Sequence, residues 1–356
     1  MKLKMLVYIV ISSGLLFGET EVKIPKGIFV TTNTCNWVLV EGKRKDLFEY
    51  PVEGVNNYVG WKDVEKEKGV YTFIGLTRML EEAKKADKKL AYSILTGIHA
   101  PSWVFEKIEP YYYSYPDGRK VRSYLPWKEV NGERMLNNEM LEIWANTVKE
   151  FSRVIHSQPE RDRIAFIFIT GWPFGNGLEL SVGLSNYEEF KKLKWDVEAE
   201  DLYIKYCKRV IDIFIKEFSD IPLCIAFTDY YGVEPDGKHR RSYRESEEIV
   251  NYAIEKGKEN NVKIIPMGLF MGHKGIISNP YHKLNILMKR FKEKVEMIGF
   301  EGPMGSYTES YAPLKEQLDY ALNMGGKLVL LWHYDVIYPS YFEIIRLYND
   351  KLKVIN

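Results

Sequence analysis

Short apolar segments alternate with amphipathic segments along almost the whole chain after residue 26. The apolar segments are rich in β-branched and aromatic residues, which is typical of buried strands. The amphipathic segments, such as 199–218, carry apolar residues at three- and four-residue spacing with Lys and Glu on the other face, which is typical of helices. The pattern predicts strands at 27–32, 56–61, 89–95, 164–170, 222–228, 262–267, 295–300 and 327–332. It predicts helices at about 75–87, 139–156, 199–218, 243–258, 281–293, 313–324 and 339–349.

Eight strands that alternate with helices predict parallel pairing, in an open doubly wound sheet or in a closed barrel. The length and the strand count favour the barrel. The first strand lacks the GxGxxG turn that supports a dinucleotide-binding open sheet. We therefore predict an α/β fold, a single (β/α)8 TIM barrel that occupies residues 19–356.

Two connections depart from a simple alternation of strand and helix. The first crossover, 33–55, has a poor helical pattern. The longest loop, 96–138 after the third strand, contains Trp103, Trp127 and five tyrosines. A loop of this length in a compact domain is usually functional, and in a barrel it lies on the C-terminal face, where active sites are found.

The composition excludes several classes of function. Lys and Arg (50) balance Asp and Glu (49), so the chain lacks the basic excess of nucleic-acid-binding proteins. Abundant Lys and Glu with only two Gln are typical of thermophiles. The three cysteines, Cys35, Cys207 and Cys224, are odd in number and widely spaced, unlike a disulfide framework or a zinc site. We expect Cys207 and Cys224 to be buried as small apolar side chains.

Residues 1–18 have the pattern of a signal peptide. Lys2 and Lys4 precede an apolar run from Met5 to Phe17, and Gly18 follows. The run is too short to cross a bilayer comfortably. We expect a secreted or periplasmic protein, with an uncleaved membrane anchor as the alternative.

Two predicted strands deliver a carboxylate to the same face of the barrel. The strand that begins at Ile164 leads through a turn rich in Gly, Pro and Asn to Glu179, and Glu301 directly follows residues 295–300. Hydrolysis of a glycosidic bond needs two such carboxyl groups. Trp172, Pro173 and Phe174 offer Glu179 apolar surroundings that would keep a carboxyl group protonated. Our hypothesis is that Glu179 is the acid/base and Glu301 the nucleophile.

The order of motifs resembles clan A glycoside hydrolases, most closely the β-galactosidase-like barrels of the family 42 type. The resemblance rests on residues 60–73 (GWKDVEKEKGVYTF), on 99–104 (HAPSWV), and more loosely on residues 170–173, 299–301 and 332–335. It implies a TIM barrel that acts without a cofactor on an oligosaccharide or polysaccharide. It also implies that Trp332, at the end of the eighth strand, forms the floor of a sugar-binding subsite. The clan usually has adjacent Asn and Glu at the end of strand four, whereas Asn176 and Glu179 are separated here by two residues.

Further residues near the strand ends are candidates for binding the sugar. Tryptophans near the strand ends are candidates because aromatic rings stack on the apolar faces of sugars. Packing in the core is the alternative role of each of these tryptophans. Histidine, carboxylate and amide groups can hydrogen-bond to sugar hydroxyls. Either Asp229 or Asp335 can also take the role of Glu179 or Glu301, and Glu309 is an alternative nucleophile. The predicted substrate-binding residues, besides Trp332, are Trp61, Trp103, Trp172, His99, His333, Asn176, Asp229 and Asp335.

Other chemistries have weaker support in the sequence. His99, His273, His333 and Asp229 follow predicted strands, but the chain lacks the HxH and HExxH spacings of zinc sites, so no metal site is predicted. It also lacks the GxSxG elbow and the P-loop. The alternative function is a carbohydrate-binding barrel without catalysis, because the strand-four motif is irregular. The sequence leaves the sugar, exo or endo action, and the oligomeric state open.

Overall fold

The predicted barrel is confirmed in the computed structural model, which describes residues 23–33, 37–40, 43–114, 118–180, 192–228, 230–233, 239–303 and 310–354. Eight parallel strands pair in chain order, and the last strand pairs with the first, for example through Val329 and Ile28. The strands are β1 (Gly27–Thr32), β2 (Gly54–Gly60), β3 (Lys89–Leu95), β4 (Ile164–Phe168), β5 (Leu223–Phe227), β6 (Ile264–Gly268), β7 (Gly299–Glu301) and β8 (Leu328–Trp332).

Side chains of the barrel strands alternate between two apolar layers. Phe29, Tyr58, Phe166 and Phe168 belong to a cluster inside the barrel. Their sequence neighbours, such as Val30, face the helices outside. A strand that is buried on both faces needs a nearly continuous apolar sequence, which is why the strand positions could be predicted.

Helices of ten or more residues cover the outside of the barrel. The helix that runs from Asn138 to Ser157 buries Met140, Trp144, Val148 and Phe151 at helical spacing, and the side chain of Asn137 caps its N-terminus by accepting from the Met140 amide. Within the described residues these helices are α1 (Ile74–Lys85), α2 (Asn138–Ser157), α3 (Val197–Glu217), α4 (Arg244–Glu259), α5 (Lys283–Lys292), α6 (Leu314–Asn323) and α7 (Phe342–Val354). None of the helices in the described part of the chain has the length and apolar character of a membrane span.

The connections after β1 and β3 contain hairpins. Residues Trp37–Val40 pair with Lys43–Asp46 in the first crossover, which explains its poor helical pattern. The long segment after β3 begins with two 3-10 turns, Gly97–His99 and Ser102–Glu106. It continues with two hairpins, Tyr111–Ser114 with Lys120–Ser123 and Trp127–Val130 with Glu133–Leu136. Residues Tyr111 to Tyr113 therefore form part of a strand of the first hairpin.

Two of the three cysteines lie within the described residues. Cys207 on α3 and Cys224 in β5 are fully buried, which confirms the expectation for these two residues. Cys35 and the predicted signal peptide lie outside the described residues.

Candidate active site

Glu179 lies at the end of the fourth strand, although ten residues separate it from the last residue of β4. Two separate segments together form the fourth strand of the barrel. The first is β4, which pairs with Leu223 and Cys224 at the start of β5. The chain then leaves the sheet and returns as the short strand Glu179–Leu180, which pairs with Ala226 and Phe227 at the end of β5. The expectation that strand four runs to residue 170 is thus wrong by two residues, and the displacement of Glu179 in sequence is an insertion within the strand.

Backbone hydrogen bonds hold this insertion, residues 169–178, against the end of β3. The Thr96 amide donates to the carbonyl of Asn176 at 3.0 Å, and the Ile98 amide donates to Gly175 at 2.9 Å. The indole of Trp172 donates to the Leu178 carbonyl at 2.9 Å. These bonds fix the residue that directly precedes Glu179.

Gly177 is required in the insertion for two reasons. Its φ is +70°, and a Cβ at this position would lie 2.0 Å from Oγ1 of Thr96. Gly175 has a φ of +59° but nothing within 4 Å of its Cβ position. A side chain at position 175 therefore meets backbone strain alone, whereas one at position 177 also clashes with Thr96.

We expect Gly177→Ala to lower the free energy of unfolding by about 2–4 kcal/mol, since left-handed strain is combined with overpacking. Gly175→Ala is the matched control, with an expected loss of about 1 kcal/mol from strain alone. Chemical denaturation of both variants measures the difference. Equal losses would contradict the tight approach of Gly177 to Thr96.

Glu301 is the last residue of β7 and faces the barrel axis. Its neighbour Phe300 packs in the outer layer, so strand alternation turns Glu301 inward. The side chain is buried, with 5% of its surface exposed. The hydroxyl of Tyr58, on β2, donates to Oε2 of Glu301 at 3.2 Å across the barrel.

Both carboxylates line one cleft at the C-terminal end of the barrel. The cleft has a volume of about 420 Å³. Trp332 lines the same cleft, and its ring is tilted against that of Tyr58 with 6.3 Å between the ring centroids. The role of Trp332 as a sugar platform stays a prediction, but its position agrees with that role.

Burial and mutual repulsion change how the two carboxyl groups hold protons. Burial, and secondly the charge of Glu179, raise the pKa of Glu301 to about 8, although the hydrogen bond from Tyr58 opposes this rise. Burial also raises the pKa of Glu179, against hydrogen bonds from the Asn176 side chain and its own backbone. Glu301 therefore holds its proton to a higher pH than an ordinary glutamate does, and the negative charge of Glu179 contributes to this rise.

We expect Tyr58→Phe to raise the pKa of Glu301 further, because the variant loses a hydrogen bond that favours the charged form. Carboxyl ¹³C chemical shifts, followed against pH in protein labelled at glutamate, measure this change. Tyr252→Phe is the matched control, since Tyr252 donates to Asp212 at 2.7 Å on the outer helices. An unchanged or lower titration midpoint for Glu301 in the Tyr58 variant would contradict the assignment.

Several predicted binding residues do line the cleft. His99 lies at its edge, and burial, followed by the charge of Lys62, lowers the pKa of its imidazole. Asn176 lines the cleft beside Glu179 and accepts from the Leu178 amide at 3.0 Å. His273, considered only for a metal site, also lines it and packs edge-on against Tyr311 with 4.9 Å between the ring centroids.

Burial contradicts the predicted sugar-platform roles of Trp61 and Trp172, whereas that of Trp103 stays a prediction. Trp61 and Trp172 are fully buried, and none of the three is among the described residues that line the cleft. The indole of Trp61 donates to the buried carboxylate of Glu65 at 2.8 Å, and Trp103 donates to the Glu65 carbonyl at 3.1 Å. The buried rings of Trp61 and Trp172 pack within the protein, which is the packing alternative.

The remaining candidates lie beside the cleft or outside the described residues. His333 is half-buried next to Thr31, and Asp335 is buried in the short helix His333–Val336. Neither residue is part of the described cleft lining, so direct contact with a sugar is not supported for them. Asp229 and Glu309 lie outside the described residues.

Sequence reasoning missed four polar residues of the cleft, Asn33, Tyr58, Asp63 and Tyr311. Tyr58 is the only polar side chain with an ionisable group between Gly54 and Gly60, and its inward position follows from strand alternation. Asp63, in the short helix after β2, belongs to the GWKDVE motif that contributes to the family resemblance.

Comparison with known proteins supports the fold. No protein-family model matches the sequence, and a search of curated proteins finds no similar one. The catalytic domain of β-amylase from Paenibacillus polymyxa is similar in structure, with a TM-score of 0.52, 10% identity, and coverage of 94% of this chain and 100% of that chain.

Two β-galactosidases are also similar in structure. The enzyme from the psychrophilic Marinomonas ef1 has a TM-score of 0.51 at 10% identity, and the match covers 92% of this chain and 60% of that chain. The enzyme from the haloarchaeon Halorubrum lacusprofundi has a TM-score of 0.53 at 10% identity, with 93% and 58% covered. This chain thus spans less than two thirds of either β-galactosidase. At these identities the likeness shows a barrel fold shared with glycoside hydrolases.

Proposed function

We propose that this protein is a glycoside hydrolase that cleaves O-glycosidic bonds with Glu179 and Glu301. The observation that carries the proposal is the single cleft in which both carboxyl groups lie close enough for the charge of one to raise the pKa of the other. Glycoside hydrolysis needs two carboxyl groups beside the scissile bond, one protonated as the acid and one ionised.

The proposed mechanism retains the configuration at the anomeric carbon. Glu179 gives its proton to the glycosidic oxygen while the Glu301 carboxylate attacks the anomeric carbon, so the C–O bond to the leaving group breaks as an ester bond forms. Glu179, now ionised, then takes a proton from water, and the hydroxide attacks the anomeric carbon and releases Glu301 as a carboxylate. Tyr58 holds Glu301 in place throughout.

The proton must reach Glu179 in the substrate complex. In the protein without substrate, the raised pKa of Glu301 favours the proton on that residue. Glu179 is the more exposed of the two. A sugar that covers Glu179 would remove its remaining water contact and raise its pKa. The exchange of roles between Glu179 and Glu301 is the competing assignment.

The proposal extends to substrate and location. The proposed substrate is an oligosaccharide or polysaccharide. The narrower proposal is that the protein is a glycosidase of the family 42 type. The signal-peptide pattern of residues 1–18 supports action outside the cytoplasm.

Turnover on a panel of aryl glycosides and polysaccharides, over a range of temperatures, tests the proposal. We expect hydrolysis of at least one substrate, with ¹H NMR of the first product showing the same anomeric configuration as the substrate. An opposite first configuration would replace the retaining mechanism by inversion. No hydrolysis together with measurable sugar binding would favour the non-catalytic barrel.

A further inference from the structure

A second cavity lies outside the barrel wall, beside the catalytic cleft. It has a volume of about 270 Å³ and lies between the outer face of β2 and β3 and the helix α1. Pockets for drug-sized ligands have about 300–1,000 Å³, so this cavity is suited to a smaller group. Its polar lining includes Asn57, Asp63, Arg78 and Tyr92, and Trp37 adds an aromatic ring.

Asn57 is a buried polar residue of this cavity. Tyr58 faces the barrel interior, so its neighbour Asn57 faces α1. The Asn57 side chain lines the cavity, its residue is only 3% exposed, and its Oδ1 accepts no hydrogen bond within the described part of the protein. An unsatisfied buried acceptor costs about 1–3 kcal/mol, so a ligand that donates a hydrogen bond here gains affinity.

The other groups around the cavity define the chemistry of such a ligand. Asp63 accepts hydrogen bonds, Arg78 donates them, and the Tyr92 hydroxyl can do both. The indole of Trp37, over which the Arg44 guanidinium lies 4.7 Å from the ring centroid, adds an aromatic surface to the lining. A ring that carries several hydroxyl groups, each able to donate and accept, matches all of these groups at once. A phosphate or carboxylate lacks the protons that Asn57 and Asp63 require.

Asp63 connects this cavity with the catalytic cleft, because it lines both. Gly60, at the end of β2, makes room for this connection. A Cβ at Gly60 would lie 2.7 Å from Oδ2 of Asp63 and 3.2 Å from Nδ1 of His99. Asp63 and His99 therefore stand together at the edge of the cleft, on the side of the second cavity.

We propose that the second cavity is a subsite for one further sugar unit of the substrate, with Asn57 and Asp63 accepting from its hydroxyl groups. The sugar chain crosses the edge of the cleft at His99 and Asp63 and places its next unit, or a branch, against α1. This inference rests on the proposed glycosidase function, and it specifies the substrate as an oligosaccharide that extends beyond the cleaved bond on the β2–β3 side.

Binding to a protein that carries Glu301→Gln tests the subsite without depending on turnover. Isothermal titration uses two-, three- and four-unit oligomers of β-1,4-linked glucose, galactose, mannose and xylose. We expect longer oligomers of one series to bind about 5–10-fold more tightly than its dimer, which is the value of about one hydrogen bond. Adding Asn57→Leu should erase this gain with length, and Arg78→Ala should reduce it.

Glu81→Ala, on the exposed face of α1 and away from this cavity, is the matched control and should keep the gain with length. If Asn57→Leu fails to fold, as judged by circular dichroism, Arg78→Ala and Trp37→Ala provide the same test. Affinity independent of length, or a gain that survives these substitutions, would overturn the subsite and leave the glycosidase proposal untouched. A further outcome is that the gain in affinity with oligomer length disappears with Asn57→Leu while the wild-type protein hydrolyses none of the substrates. That combination would support the subsite and refute the glycosidase.

Discussion

Glu301→Gln is expected to abolish hydrolysis, with kcat/KM on the best substrate falling on the order of 10⁴–10⁶-fold, because the amide cannot form the ester with the anomeric carbon. Fold and cleft should persist, since the amide oxygen can still accept the hydrogen bond from Tyr58. Initial rates over a range of substrate concentrations, together with the thermal midpoint of the same samples, measure both effects. Residual activity above about 1% of the wild type would remove Glu301 from the mechanism.

The same variant should show how Glu301 affects stability. The pKa of Glu301 in the folded protein, about 8, lies above that of an ordinary glutamate. The favourable contribution of this group is therefore complete at low pH and is lost as the pH rises toward 8. We expect the midpoint of Glu301→Gln to rise relative to the wild type between about pH 5 and pH 8 and to change little above that range.

Glu296→Gln is the matched control for both measurements. Glu296 also lies on the segment that enters β7, but it forms an exposed ion pair with Lys263 at the opposite end of the barrel. It should keep full activity and show no such pH-dependent difference in midpoint. A loss of activity in this control would show that the segment is sensitive to any change of charge.

Glu179→Ala is expected to lower kcat about 10²–10⁴-fold on glycosides with poor leaving groups, because these need a proton from the general acid. Aryl glycosides with good leaving groups need little protonation and should lose much less. Azide fits the space of the removed side chain and attacks the anomeric carbon of the glycosyl–enzyme ester. It should restore turnover and give a glycosyl azide of retained configuration, which NMR of the product identifies.

Azide also separates the two role assignments. With Glu301→Ala, azide replaces the nucleophile itself and should give a glycosyl azide of inverted configuration. The exchange of these two outcomes between the variants would assign the nucleophile to Glu179 and the acid/base to Glu301. Azide should leave the wild-type rate unchanged, and rescue of neither variant would argue against a covalent intermediate.

The position of Glu179 in the barrel is a feature that the local sequence does not predict. Glu179 was found because it follows a buried strand through a turn rich in glycine, but its place in the barrel could not be predicted. That place depends on the pairing of Glu179 and Leu180 with Ala226 and Phe227, about 47 residues further along the chain. Pairing between distant segments leaves no periodicity in the local sequence.

For Trp61 and Trp172, the sequence motifs predicted a sugar-binding role that burial contradicts. Trp61 and Trp172 stand beside predicted strand ends, where aromatic rings often meet sugars, yet both are fully buried. A motif gives the residue type, but the direction of a side chain depends on what surrounds it. In this protein Glu65 and the Leu178 carbonyl accept the two indole N–H groups within the wall of the barrel.

The sequence by itself determined the barrel, its eight strands and the two carboxylates. Strands buried on both faces must be apolar, and surface helices must be amphipathic, so these elements are written in short stretches of sequence. Only the tertiary structure decided that Tyr58 reaches Glu301 and that Asp63 borders two cavities. Such contacts depend on barrel closure and strand register, which set the distances between residues that are remote in sequence.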